Sequence, residues 1–179
     1  QTMLGLGQFQ QLLDDTQKLS GNDTSAEIST LRGNAFLALD KTQEAKKLFE
    51  QALEKQPHFP DALVGMAKYS LMQQDVDTAI RFSDEAVEKN PRSAEAWLFR
   101  GDLLRILGKT EPALAAYSEV IKLKPNSAPA YLNKAFLEIG AGNFDSAKAD
   151  VEAARKATPG SLLVFYTQAM LDYSQGKHA

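Results

Sequence analysis

Most protein chemistry is done by imidazoles, thiols or clustered carboxylates, and this chain of 179 residues is short of all three. It has no cysteine, which removes disulfides, thiolate nucleophiles and Cys-ligated zinc together. Its two histidines are His58, next to Pro57, and His178, next to last in the chain. Both read as solvated turn residues, because neither has a second titratable group at a spacing that makes a base or a ligand set. Asp14-Asp15 and Asn22-Asp23-Thr24 offer oxygens for a cation, but they lack the alternating ligands and closing glutamate of a calcium loop. A solvated face and a helix cap account for them. Gly5-Leu6-Gly7 and Gly140-Ala141-Gly142 mimic the start of a dinucleotide motif, yet no strand precedes either, and both are expected in turns between helices. No catalytic, cofactor-binding or metal-binding residue is therefore expected, and the chain does not read as an enzyme. A net charge of −3 argues against nucleic acid, whose affinity is built on clustered Lys and Arg. No apolar stretch approaches the ~20 residues that insert across a bilayer.

With chemistry scarce, the elements that place the surface carry the argument. Pro57, Pro91, Pro125 and Pro159, four of the seven prolines, stand 34 residues apart. A fixed period of this size marks stacked repeats. Independent columns agree with the ruler: Ala45, Ala79, Ala113 and Ala147; Ala52, Ala86, Val120 and Ala154; Gly33, Ala67, Gly101, Ala135 and then Ala169. Within a unit the apolar period is helical, as in Ile28, Leu31, Ala35 and Leu39, and again in Ala45, Leu48, Phe49 and Ala52. Each unit is thus two helices of about fourteen residues around a short turn. Leu39–Thr42, Met72–Asp75, Leu107–Thr110 and Gly140–Asn143 are the turns, and the ruler prolines stop the second helix. Ser93, Ser127 and Ser161 stand where the next helix needs an N-cap. The small columns predict close helix approach, with Phe49, Trp97, Tyr117 and Tyr131 filling the gaps between units.

The resulting organisation is a partial unit at 1–24, four units at 26–59, 60–93, 94–127 and 128–161, and a first helix at 162–179. A unit with a large apolar residue at place four and a small one at place eight resembles the tetratricopeptide repeat (TPR). Alanine at place 20, an aromatic at 24, a small residue at 27 and proline at 32 complete the likeness. Ala94-Glu-Ala-Trp97, Gly101, Ala113, Tyr117, Val120 and Pro125 carry it best. Departures stand at Ser29, Ser83 and Val151, and at place seven, where Arg32, Met66, Arg100 and Lys134 replace the family's usual leucine. The resemblance implies an all-α, right-handed α-solenoid of about ten helices whose first helices line a concave groove.

It also implies which residues face that groove: Asn34, Val64, Lys68, Leu98, Phe99, Asp102, Arg105, Leu132, Asn133, Phe136, Tyr166 and Met170. The aliphatic ones read equally well as partly buried by neighbouring first helices. Thr30 and Val64 stand where chaperone-adaptor members carry lysine, so binding of a chaperone tail is not expected. The expected partner is a protein or peptide segment with apolar anchors, its register set by Lys68, Asp102 and Arg105. The chain starts and stops in mid-repeat, which predicts a piece of a longer array. Leu163, Tyr166, Met170 and Tyr173 on the last helix predict self-association through that end. Phe165–Lys177 also resembles units of the long bacterial TPR lipoproteins of exosortase (PEP-CTERM) and exopolysaccharide systems. That resemblance implies a periplasmic protein tethered to the outer membrane; without it a cytoplasmic one is expected. The expected role is a non-catalytic scaffold within a larger bacterial assembly protein, the alternative a structural spacer.

Overall fold

A computed structural model describes residues 3–19 and 25–176. The expectations placed on Asn22, Asp23, Thr24 and His178 lie outside the described residues. Among the described residues there are ten helices and no strand: α1 (Met3–Leu19), α2 (Ala26–Ala38), α3 (Thr42–Lys55), α4 (Pro60–Met72), α5 (Val76–Lys89), α6 (Ala94–Ile106), α7 (Thr110–Leu123), α8 (Ala128–Gly140), α9 (Phe144–Ala157) and α10 (Leu162–Ser174). The fold is an all-α helical repeat solenoid. It divides into two compact units, one ending at Pro91 with α1–α5 and one beginning at Arg92 with α6–α10.

The turn inside each repeat is built the same way five times. Asp40, Gln74, Gly108, Gly142 and Gly176 all have φ between 60° and 79° and stand 34 residues apart. Each lets the chain fold back on the helix it has just left. In the first four, the next residue's N–H reaches the carbonyl of Phe36, Ser70, Leu104 or Glu138 at 2.9 Å. This double capping satisfies carbonyls that a helix end leaves bare. Glycine adopts the left-handed conformation freely, whereas Gln74 does so against the steric cost of its Cβ.

At the N-termini the serine expectation holds in part. Ser93 accepts from the Ala96 N–H at 3.2 Å, and Ser25 does the same for Ile28 at 3.3 Å. Ser127 and Ser161 occupy the cap position without a side-chain bond. The Gly5–Gly7 segment departs from expectation, because it lies inside α1 rather than in a turn. The helix runs through both glycines there, whereas Gly142 stands in a turn at φ 79°.

In the first unit, α2 packs on α3, α4 on α5, and α4 also touches α3 and α2. Phe49 of α3 is fully buried at the centre of these contacts. A Cβ added to Gly33 or Gly65 would fall 2.5 or 2.4 Å from its ring, so glycines on α2 and α4 make room for it from both sides. The second unit repeats half of this device, since a Cβ added to Gly101 of α6 would fall 2.5 Å from the ring of buried Tyr117 of α7. Where place 24 is Ser83 or Val151, the facing place eight is Ala67 or Ala135 instead. Ring opposes glycine, and a smaller side chain opposes alanine.

Place seven is also explained locally in the fourth repeat. Lys134 reaches Asp150 at 2.7 Å and Glu138 at 3.8 Å, forming a mostly buried charge cluster where the family carries leucine. Burial raises the Asp150 carboxyl above its usual pKa, against the pull of Lys134.

Candidate functional site

The clearest recess on a first-helix face lies in the second unit, across α6, α8 and α10. Helical spacing puts Leu98, Asp102 and Arg105 on one stripe of α6, Leu132, Asn133 and Phe136 on α8, and Leu163, Tyr166, Thr167 and Met170 on α10. Arg105, Leu132, Asn133, Phe136, Leu163, Tyr166 and Thr167 enclose a cavity of about 140 Å³. Leu132 and Thr167 form its buried floor, while Phe136 (45% exposed), Leu163 (56%) and Tyr166 (61%) stand open at its rim. Exposed aromatics beside a buried floor are the usual anatomy of a side-chain anchor site.

Beneath the rim runs a polar network. The Tyr117 hydroxyl donates to Asp102 Oδ1 at 2.8 Å, and Asn133 Nδ2 donates to the same oxygen at 2.7 Å. Burial, and then the Asp102 carboxylate, push the Tyr117 hydroxyl well above the ordinary tyrosine range, with Arg105 pulling weakly the other way. Tyr117 is therefore a neutral donor whose role is to hold Asp102. Asp102, expected to help set a partner's register by its charge, is a half-buried acceptor that joins α6, α7 and α8. Arg105 lines the cavity and also interacts with the Tyr117 hydroxyl, while its Nε is buried without a hydrogen-bond partner.

The remaining expected residues are distributed as follows. Leu98 is half-buried between two core clusters, Phe99 is half-buried, and Met170 packs partly against the core of the fourth repeat. In the first unit Val64 is buried (8% exposed) and gives no anchor surface, because α4 is packed on three helices. Asn34 is half-buried, and Lys68 is exposed. Leu163 and Thr167 were not among the expected groove residues. They stand on α10 beside the expected Tyr166, one helical turn before it and next to it.

His58 is an exposed turn residue, as expected, and it makes specific bonds as well. It sits at φ 62° with Nδ1 2.7 Å from Glu85 Oε1, and its carbonyl accepts from Asn90 Nδ2 at 2.7 Å. These bonds tie the α3–α4 turn to α5. Among the described residues no group of three or more His, Cys, Asp or Glu could hold a metal ion, and no helix is long and apolar enough to cross a membrane.

The comparisons agree with this architecture. A tetratricopeptide repeat family model matches residues 36–103, and a TPR repeat model matches residues 101–138. No curated protein matches. Among solved structures, YrrB, described as a TPR protein with an unusual peptide-binding site, is 21% identical with a TM-score of 0.64. That match covers 92% of this chain and 85% of YrrB. PilF of Pseudomonas aeruginosa is 20% identical with a TM-score of 0.77, over 85% of this chain and 69% of its own. A thermophilic TPR protein of Thermus thermophilus is 24% identical with a TM-score of 0.67, over 85% of this chain and 84% of its own. At these identities the likeness is one of fold.

Proposed function

This chain belongs to the tetratricopeptide repeat family, and on that premise we propose that it is a non-catalytic scaffold that binds a protein segment on its first-helix face. The observation that carries the reading is the recess of the second unit, where Phe136, Leu163 and Tyr166 are held open over a buried floor beside Arg105. An apolar or aromatic side chain of the partner enters the cavity, and Arg105 meets a carbonyl or carboxylate next to it. Asp102 acts indirectly by holding Asn133 in place. The peptide-binding site named for YrrB supports this reading, at the level of a similar fold.

The bacterial assembly role and the periplasmic location belong to the same proposal. They are supported by the resemblance of Phe165–Lys177 to exopolysaccharide-system lipoproteins, and cell fractionation tests them. The binding proposal is tested by in-cell cross-linking with the wild type, Phe136→Glu and Tyr166→Glu. Both positions are exposed, so the helix content by circular dichroism stays unchanged. Loss of a central anchor costs on the order of 2 kcal/mol, about thirtyfold in affinity. A partner set captured equally by all three proteins would refute the groove and favour the spacer reading.

A further inference from the structure

The last helix of the second unit is apolar on two opposite sides. In α10, Val164, Thr167 and Leu171 are buried and form the inner side, against α8 and α9. Steps of three and four residues put Leu162, Phe165, Ala169 and Tyr173 on the other side of the same helix, and all four are exposed. A helix at a protein surface turns polar residues outward, and one that is apolar all round is a helix meant to be covered all round. The outer stripe carries no charge. Asp172 lies at its edge and already accepts from Gln168 Nε2 at 3.0 Å. Leu162, Phe165, Tyr173 and the flanking Tyr166 are between 57% and 85% exposed. At ~200 Å² for a large side chain, that is about 500 Å² of open surface per copy. Two such faces reach the ~1,000 Å² that a specific interface needs.

The stripe is complementary to itself. Counted outward from Ala169, Phe165 stands four residues before and Tyr173 four after, while Leu162 stands seven before and Gly176 seven after. A two-fold contact pairs residue i with j and j with i. Two α10 helices laid antiparallel, with the two-fold axis at Ala169, therefore bring Phe165 of each copy beside Tyr173 of the other and Leu162 over Gly176. Both pairings are sterically open: the rings meet side by side, and a Cβ added to Gly176 would meet nothing within 4 Å. A parallel pair would set Leu162 on Leu162 and Gly176 on Gly176, crowding one end and leaving the other empty. Alanine at the centre lets the two axes approach to about 8 Å, and the antiparallel order aligns the helix dipoles favourably. We propose that the outer side of α10 is a homodimer interface, antiparallel and two-fold about Ala169. The interface does not rest on the groove reading: Phe136 of the groove lies on α8, outside it, and Tyr166 alone stands at the edge of both.

The chain has no cysteine, so introduced single cysteines report the pairing directly. The test oxidises Ala169→Cys, Phe165→Cys and Tyr173→Cys proteins with diamide, with Lys148→Cys on α9 as the control. All four positions are exposed, so the fold is retained. Ala169→Cys should cross-link with itself, because its two Cα atoms meet at the axis within the ~7 Å that a disulfide spans. Residues four places from the axis lie about 12 Å from their own counterparts along the helix. Phe165→Cys alone and Tyr173→Cys alone should therefore give about tenfold less dimer, whereas a mixture of the two should cross-link to one another. Lys148→Cys should remain a single chain. Sedimentation velocity of the wild type should show a mass that doubles with concentration, and Phe136→Glu should leave that unchanged even where it abolishes partner capture. A single-chain mass at every concentration would overturn the proposal and leave the face to a different protein. Phe165→Cys dimers as abundant as those of Ala169→Cys would overturn it as well.

Discussion

Gly101→Ala separates the packing account from simple helix propensity, because the two predict opposite signs. In a helix interior, alanine for glycine is stabilising by about 1 kcal/mol. Here the new Cβ would fall 2.5 Å from Tyr117 Cε1 and 2.7 Å from Cδ1. The ring is fully buried, and its hydroxyl is bonded to Asp102 at 2.8 Å. It cannot move aside without straining that bond, and overpacking of this kind costs about 1–3 kcal/mol, with up to ~1 kcal/mol more for the hydrogen bond. The net expectation is a loss of about 1–2 kcal/mol. In a Tyr117→Val background the pairing becomes that of Ala135 with Val151, and the same glycine substitution should turn stabilising by about 1 kcal/mol. Urea titration followed by the fluorescence of Trp97, the single tryptophan and a residue of α6, measures both. A Gly101→Ala protein more stable than wild type would refute the reasoning.

Further expectations concern the turns, the network and the last helix. Gln74→Gly should stabilise by a few tenths to about 1 kcal/mol, because the left-handed cost exceeds glycine's entropic one, whereas Gly142→Ala should cost about 1 kcal/mol; thermal melts decide both. Tyr117 has its hydroxyl pKa raised by burial, so the unfolded chain releases that proton first as pH rises. Its contribution is complete below the ordinary tyrosine pKa of ~10 and falls away above it, and Tyr117→Phe should flatten the loss of stability in urea titrations between roughly pH 10 and 12. On α10, Leu162 (85% exposed), Phe165 (57%) and Tyr173 (73%) should drive concentration-dependent association, which Phe165→Glu with Tyr173→Glu abolishes; an unchanging mass in light scattering of the wild type would dispose of the idea.

The repeat was legible because its determinants are local and recur. Proline stops a helix wherever it falls, and Gly108 and Gly142 advertise a left-handed turn. Gln74 was harder, since only its register with those glycines shows that it shares their conformation. The small column at place eight was visible, but its partner was not. That Gly33 and Gly65 both face Phe49 is a tertiary fact involving two helices, and no spacing within either one encodes it. The groove was legible as a set of places, not as a set of roles. Asp102 and Arg105 were both legible as groove places, yet that the Tyr117 hydroxyl from α7 interacts with both is a tertiary fact. Ala169 shows the converse, because it continues the small column yet lies exposed on α10, where no second helix of its own repeat faces it among the described residues.

The ring-and-glycine pairs have a consequence for how such a chain can grow or shrink. Phe49 is lodged between Gly33 of its own unit and Gly65 of the next, so the second repeat is keyed to the first. A chain shortened by residues 60–93 would keep perfect 34-residue phasing, yet it would bring Phe99, which shares place six with Gly65, to the position facing Phe49. Two rings would then compete for the volume of one. The units are alike in period but not interchangeable, and their order along the chain is written into the joints between them.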